Sequence, residues 1–206
     1  MRQAGVAGVT APTAGPGNWN LPNAITIVRI LFAPAFLWLL LADQHADGTL
    51  RWVATALFVI GIATDGVDGH IARSRGLVTD LGKLLDPIAD KILTGAALVG
   101  LGLLAELPWW VVAVILVREW GITVWRFAVI KHGVVAASRG GKLKTVFQSV
   151  AIGCALAPLW TLTGGWVFWL DGILMTIAVL LTVVTGIDYL VSYARARRAG
   201  GAGRRS

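Results

Sequence analysis

From Leu21 onward the chain alternates between long apolar blocks and short polar breaks. The blocks fall at 21–42, 50–73, 84–106, 109–131, 146–164 and 167–193. Each comes close to the roughly 20 residues that a helix needs to cross the hydrocarbon of a bilayer. Backbone polar groups have no water to bond in that medium, so a spanning segment must close its hydrogen bonds within a helix or a barrel. The pattern therefore predicts an all-α, polytopic membrane protein with six transmembrane helices in one domain, residues 20–194. The stretch before it, 1–19, is rich in Gly, Ala and Pro and has no apolar core of signal-peptide length, so it reads as a flexible tail. Residues 195–206 read as a basic C-terminal tail.

Composition agrees with this class. Of 206 residues 56% are hydrophobic and only 14% charged, and the mean hydropathy is +0.73, which sets the chain apart from an ordinary soluble domain. A net charge of +7 would suggest nucleic acid if it were clustered on one surface. Placed on the six helices with both termini in the cytoplasm, it is distributed otherwise. Arg2, Arg29, Arg73, Arg75, Lys83, Lys91, Lys131, Arg139, Lys142, Lys144 and the tail arginines fall on the inner side, and Arg51 alone is left outside. The charge is thus a topological signal that puts both ends in the cytoplasm of a cell (plasma) membrane. It also favours an anionic leaflet and leaves no case for nucleic acid. The single cysteine, Cys154, rules out an intramolecular disulfide.

Against this background the stretch 64-TDGVDGHIARSRGLVTDLGKLLDPIADK-91 stands out, with five of the eleven acidic residues. At about 100° per residue, Asp65, Asp68, Gly69, Ala72 and Arg73 share one face of the second helix. Gly82, Asp86 and Asp90 form a stripe on the third. Four carboxylates on two neighbouring helices repel one another, and at membrane depth charge is costly unless paired or facing water. Either several stay protonated or they bind cations. An all-oxygen set without His or Cys suits a hard ion, Mg²⁺ or Mn²⁺. Two such ions would offset the four charges and leave positions for phosphate oxygens, as in two-metal phosphoryl transfer. A solvated turn explains any one pair of these acids, but not the small residues set at helical spacing beside them. Close helix packing alone accounts equally well for the glycines.

The spacing Asp65-x2-Asp68-Gly69-x2-Ala72-Arg73-x8-Gly82-x3-Asp86-x3-Asp90, eight fixed positions over 26 residues, resembles the signature of the CDP-alcohol phosphotransferases. The resemblance implies a six-helix, usually homodimeric membrane enzyme with a cytoplasm-facing polar cavity, in which an alcohol displaces CMP from a CDP-linked lipid. It assigns the metals to Asp65, Asp68, Asp86 and Asp90 and makes Asp90 the general base. Gly69, Ala72, Arg73, Thr79 and Gly82 would meet CDP-diacylglycerol. Asn23 and Thr26, at the start of the first helix, and Arg29 one turn further could line the same end of the cavity, although helix capping explains Asn23 equally well.

The segments 20-NLPNAITIVRILFAP-34, LLDPIADK and 118-REWGITVWRFAVIKHGVVAASRGGKLKT-145 are similar to the phosphatidylglycerophosphate synthases of that family, whose acceptor is glycerol 3-phosphate. A dianionic acceptor implies a cationic site beside the metals, for which Arg118, Arg126, Lys142 and Lys144 are the candidates. Lys142 and Lys144 serve equally well as positive-inside determinants, and Arg118 with Glu119 as a structural ion pair. Sister activities with inositol phosphate or phosphatidylglycerol as acceptor use the same fold. A divalent-cation transporter is the remote alternative, because the aspartates lie at one end and not at the bilayer midplane where transport sites lie. Pro87 either bends the third helix or marks its first turn. His70 sits at a variable motif position, and Asp188 needs a partner or water.

Overall fold

The computed structural model describes residues 20–74, 79–129 and 139–202. The secondary structure there is entirely helical: α1 Leu21–Ala42, α2 Thr49–Ser74, α3 Asp80–Leu103, α4 Trp109–Val129, α5 Arg139–Leu156, α6 Trp160–Thr163 and α7 Val167–Ala202. The tail 1–19 lies outside the described residues.

Local chemistry sets the helix ends. Asn20 caps α1, its side chain accepting from the Asn23 amide at 3.0 Å, with Pro22 in the first turn, where a missing N–H is harmless. Thr79 caps α3 through the Gly82 amide, also at 3.0 Å. In the turn between α1 and α2 the Asp43 carboxylate accepts from the amides of Asp47, Gly48 and Arg51. These bonds hold a tight reversal in which Gln44, His45 and Asp47 all take positive φ.

The long helices run up and down. α1 packs chiefly against α2 and α3, and α5 against α7, while α4 joins α3 to α7. Ala33, Phe36 and Leu40 of α1 share a buried stripe that meets Ala54 and Phe58 of α2 and Leu93, Ala97 and Leu101 of α3. The Phe36 and Phe58 rings lie 6.0 Å apart. A methyl on Gly100 would come within 2.7 Å of Leu40 Cδ2, so the glycine lets α1 and α3 approach closely. The outward faces carry Leu31, Trp38, Ile60, Val117, Trp169, Ile173 and Val184 exposed. Helices that are apolar all round call for an apolar solvent.

Among the described residues three helices are long and apolar enough to cross a membrane, over Leu21–Ala42, Thr49–Val67 and Val167–Arg195, and Leu143–Leu156 is a shorter apolar helix. α3 and α4 have 24 and 21 residues, but Asp86, Asp90 and Lys91 in one and Arg118 and Glu119 in the other lower their hydropathy. The fold is therefore all-α, as the apolar blocks predict, with candidate membrane helices.

Three details differ from the sequence-based expectation. α3 begins at Asp80 and not at 84, since Thr79 caps it there, which puts Pro87 inside the helix and not in its first turn. The block expected at 146–164 is two helices. α5 starts at Arg139, taking Lys142 and Lys144 into its first turns, and ends before Pro158, while the rest is the single turn α6. α7 continues nine residues past 193 to Ala202.

The end of the bundle that carries the α1–α2 turn is locked by one buried cation. Arg51, fully buried, makes a bidentate pair with Glu106 at 2.6 and 2.5 Å. It also donates to the carbonyls of Leu156 and Ala155 at the end of α5. The Trp160 ring of α6 lies 4.9 Å from the guanidinium carbon and donates its indole N–H to Asp47. One side chain thus ties α2, the α3–α4 turn and the α5–α6 break. Removing one partner of such a pair strands the other, at a cost of about 3–5 kcal/mol. Arg51→Leu is accordingly expected to lower the melting temperature of the detergent-solubilised protein markedly, whereas the exposed Trp169→Phe leaves it within a degree or two.

Candidate active site

At the opposite end, the starts of α1 and α3 are stitched together side by side. Asn23 donates its amide to the Thr79 hydroxyl at 2.8 Å. Thr26 donates to Asp86 at 3.0 Å, so Asp86 faces α1. Gly82 is buried in this seam, where an added methyl would lie 2.6 Å from Asn23 Oδ1 and 3.3 Å from Thr79 Oγ1. The cap of α1 is Asn20, which frees the Asn23 side chain for its contact with α3.

One turn deeper, Arg29 of α1 is buried and donates to Asp65 of α2 at 2.5 Å. Asp65 stays partly exposed, and beyond it opens a cavity of about 640 Å³ between α2, α3, α4, α5 and α7. Asp65 and Asp90 both line it. Lys91, Arg118, Glu119 and Lys144 line its other side, with Gln148, Thr185 and Asp188. Asp188 thereby receives the aqueous setting that a carboxylate in an apolar helix requires.

The cationic wall is organised by Glu119, a buried residue of α4. It accepts from Arg118 at 2.8 Å and from Lys91 of α3 at 2.9 Å. Lys144 of α5, also buried, donates to the same carboxylate. Arg118 bonds Thr185 of α7 at 3.0 Å with its other terminal nitrogen. The Gln148 carbonyl oxygen is buried and has no hydrogen-bond partner among the described residues.

The fold thus brings Asp65, Asp90, Arg118 and Lys144 to one cavity and places Asn23, Thr26, Thr79, Gly82 and Asp86 in the adjoining α1–α3 seam. Gly69 and the side chains of Asp68, Ala72, Arg73, Arg126 and Lys142 lie outside the described residues. Lys91 and Gln148 were not singled out from the sequence. Lys91 read as a topological charge, although its place next to Asp90 was a signal. Gln148 lies one turn after Lys144, where α5 passes into its apolar half.

The carboxylates offer oxygen alone, a donor set whose chemistry suits a hard divalent cation. Among the described residues no three acidic, His or Cys side chains already enclose an ion position, and Asp68, the fourth carboxylate of the motif, is not among those described.

A helical bundle with five helices around an acid-lined cavity, and with the spacing of aspartates given above, defines a class of transferase. The chain belongs to the CDP-alcohol phosphatidyltransferase family, which it matches over residues 19–184. It is 47% identical over 171 residues to a Mycobacterium tuberculosis protein named "Probable phosphatidylglycerophosphate synthase", covering 83% of this chain and 80% of that one. To a "CDP-diacylglycerol--glycerol-3-phosphate 3-phosphatidyltransferase" of Bacillus subtilis it is 39% identical over 184 residues, 83% of this chain and 93% of the relative. A protein of the same name from Rickettsia felis is 36% identical over 177 residues, with 82% and 93% covered.

The tight seam at Gly82 is testable. Gly82→Ala must part Asn23 from Thr79 and is expected to destabilise by about 1–3 kcal/mol, read as a lower melting temperature in detergent. Gly121→Ala is the control, since open space lies where its methyl would go.

Proposed function

We propose that this protein transfers the phosphatidyl group of CDP-diacylglycerol to glycerol 3-phosphate, giving phosphatidylglycerophosphate and CMP. The observation that carries the reading is the meeting of Asp65 and Asp90 with Lys91, Arg118 and Lys144 around one cavity, in a chain of this family. The printed names of its relatives point the same way.

In this reading the acceptor hydroxyl attacks the β-phosphorus of the CDP-lipid, a new P–O bond forms, and the bond to the CMP oxygen breaks. A neutral hydroxyl is a weak nucleophile, so Asp90 takes its proton within hydrogen-bond reach. Asp65, Asp68, Asp86 and Asp90 would hold two divalent ions, Mg²⁺ or Mn²⁺, which when bound neutralise charge on the reacting phosphate. Asn23, Thr26, Gly69, Ala72, Arg73, Thr79 and Gly82 receive the nucleotide end. Buried Arg29 holds Asp65 in place at the floor of the cavity. Arg118 and Lys144 receive the acceptor phosphate, with Arg126 and Lys142 as further candidates. A phosphate-bearing acceptor suits this cationic wall better than phosphatidylglycerol, whose free hydroxyls carry no such charge. The same wall would admit inositol phosphate by charge, and the names of the relatives favour glycerol 3-phosphate.

Six of the helices, α1 to α5 and α7, would span the membrane, with α6 at the outer surface and both termini cytoplasmic. Spans α3 and α4 keep their charges inside the bundle, where a polar cavity lowers the cost. A homodimer in the plasma membrane completes the proposal.

The purified protein in detergent, given CDP-diacylglycerol and Mg²⁺, is expected to release CMP with glycerol 3-phosphate and not with inositol phosphate or phosphatidylglycerol. EDTA should stop the release. Release with another acceptor alone would move the activity to a sister reaction, and no release with any would refute it. Loss of a general base typically costs about 10²–10⁴-fold in rate. Asp90→Asn should therefore lose turnover by that order while still binding CDP-diacylglycerol, and near-normal turnover would remove it as the base. Asp65→Asn should instead weaken metal-dependent binding of the lipid.

A further inference from the structure

We infer that Glu119 is the positioning residue of the acceptor site and that Lys91 is its third cation, an inference that rests on the acceptor reading above. Glu119 is the one carboxylate among the described residues in contact with Arg118, Lys91 and Lys144. These cations come from α4, α3 and α5, and without a common counter-charge they would repel one another. Glu119 offsets one of three positive charges and leaves two. Asp65, Asp90 and Asp188 line the same cavity, and with Asp65 and Asp90 engaged by the metals of that reading the cationic wall keeps positive charge facing the cavity, which a phosphate monoester matches in sign.

The donors are arranged for both anions at once. Glu119 accepts from Arg118 and Lys144 through one oxygen and from Lys91 through the other. Each ammonium has three N–H groups and the guanidinium five, so each cation keeps donors beyond the one it gives to Glu119. On Arg118 one terminal nitrogen goes to Glu119 and the other to Thr185, while buried Nε has no partner among the described residues. All three cations line the cavity shared with Asp90. Glu119 therefore holds the phosphate-binding groups on three helices in register, and the bound acceptor hydroxyl is presented to Asp90. Glu119 itself touches no reacting atom.

The test uses the full-length protein in detergent, with steady-state kinetics for both substrates. Glu119→Gln keeps the shape of the side chain but removes the charge that gathers the cations. A charge-assisted network of this kind predicts a rise of about tenfold or more in KM for glycerol 3-phosphate. KM for CDP-diacylglycerol should stay within about twofold, and the inhibition constant of inorganic phosphate against glycerol 3-phosphate should rise in parallel. Glu119→Asp, which keeps the charge but shortens its reach, should show the same one-sided rise, smaller in size. An unmoved KM for glycerol 3-phosphate, or an equal rise for both substrates, would overturn the proposal. So would a Glu119→Asp protein that no longer folds, since the residue would then be structural. If the unaltered protein releases no CMP with glycerol 3-phosphate, the acceptor reading itself fails, a result distinct from any of these.

Discussion

A charged group surrounded by hydrocarbon has to find an opposite charge, a hydrogen-bonded cage or water, and this protein is organised by that requirement. Its helices are apolar enough that nearly any helix packing would satisfy their surfaces. The buried ions are what select one arrangement. Arg29 must meet Asp65, Arg51 must meet Glu106, and Glu119 must meet three cations. All of these contacts but Arg118–Glu119 join different elements of the fold, so together they set the order and depth of the bundle more sharply than side-chain volume does.

The two ends resolve the requirement in opposite ways. At the Arg51 end all three guanidinium nitrogens donate, to Glu106 and to two backbone carbonyls, and Asp47 adds an ion pair at 3.6 Å. The ions at that end hold the fold. At the other end the charges are left in surplus, acids on α2 and α3 and cations on α3, α4 and α5, around a cavity that admits solvent. A surplus is what a ligand can complete. Stability and chemistry are thereby kept apart by the length of the bundle, and the apolar core around Phe36, Phe58 and Leu93 separates them.

Much of this was legible from residue order. Apolar blocks placed α1, α2 and α4 to within a few residues, and the start of α7, because a run of 20 apolar residues has few alternatives. The acid stripe at four-residue spacing marked one helix face. The start of α5 was missed because Gly140, Gly141, Lys142 and Lys144 are poor neighbours for a membrane helix when read locally. Lys144 finds its partner in Glu119, which lies 25 residues away. Arg51 read as a lone outer charge for the same reason, since its partner is 55 residues away.

The sequence by itself determined the apolar surface and the helical class and suggested the chemical type of the site, because these follow from hydropathy and from spacing within single helices. Only the tertiary structure decided which charges meet: that Asp86 turns to Thr26, that Asp65 is held by Arg29, and that Lys91, Arg118 and Lys144 converge on Glu119. Pairing between helices depends on their mutual rotation and depth, and a one-dimensional pattern carries neither.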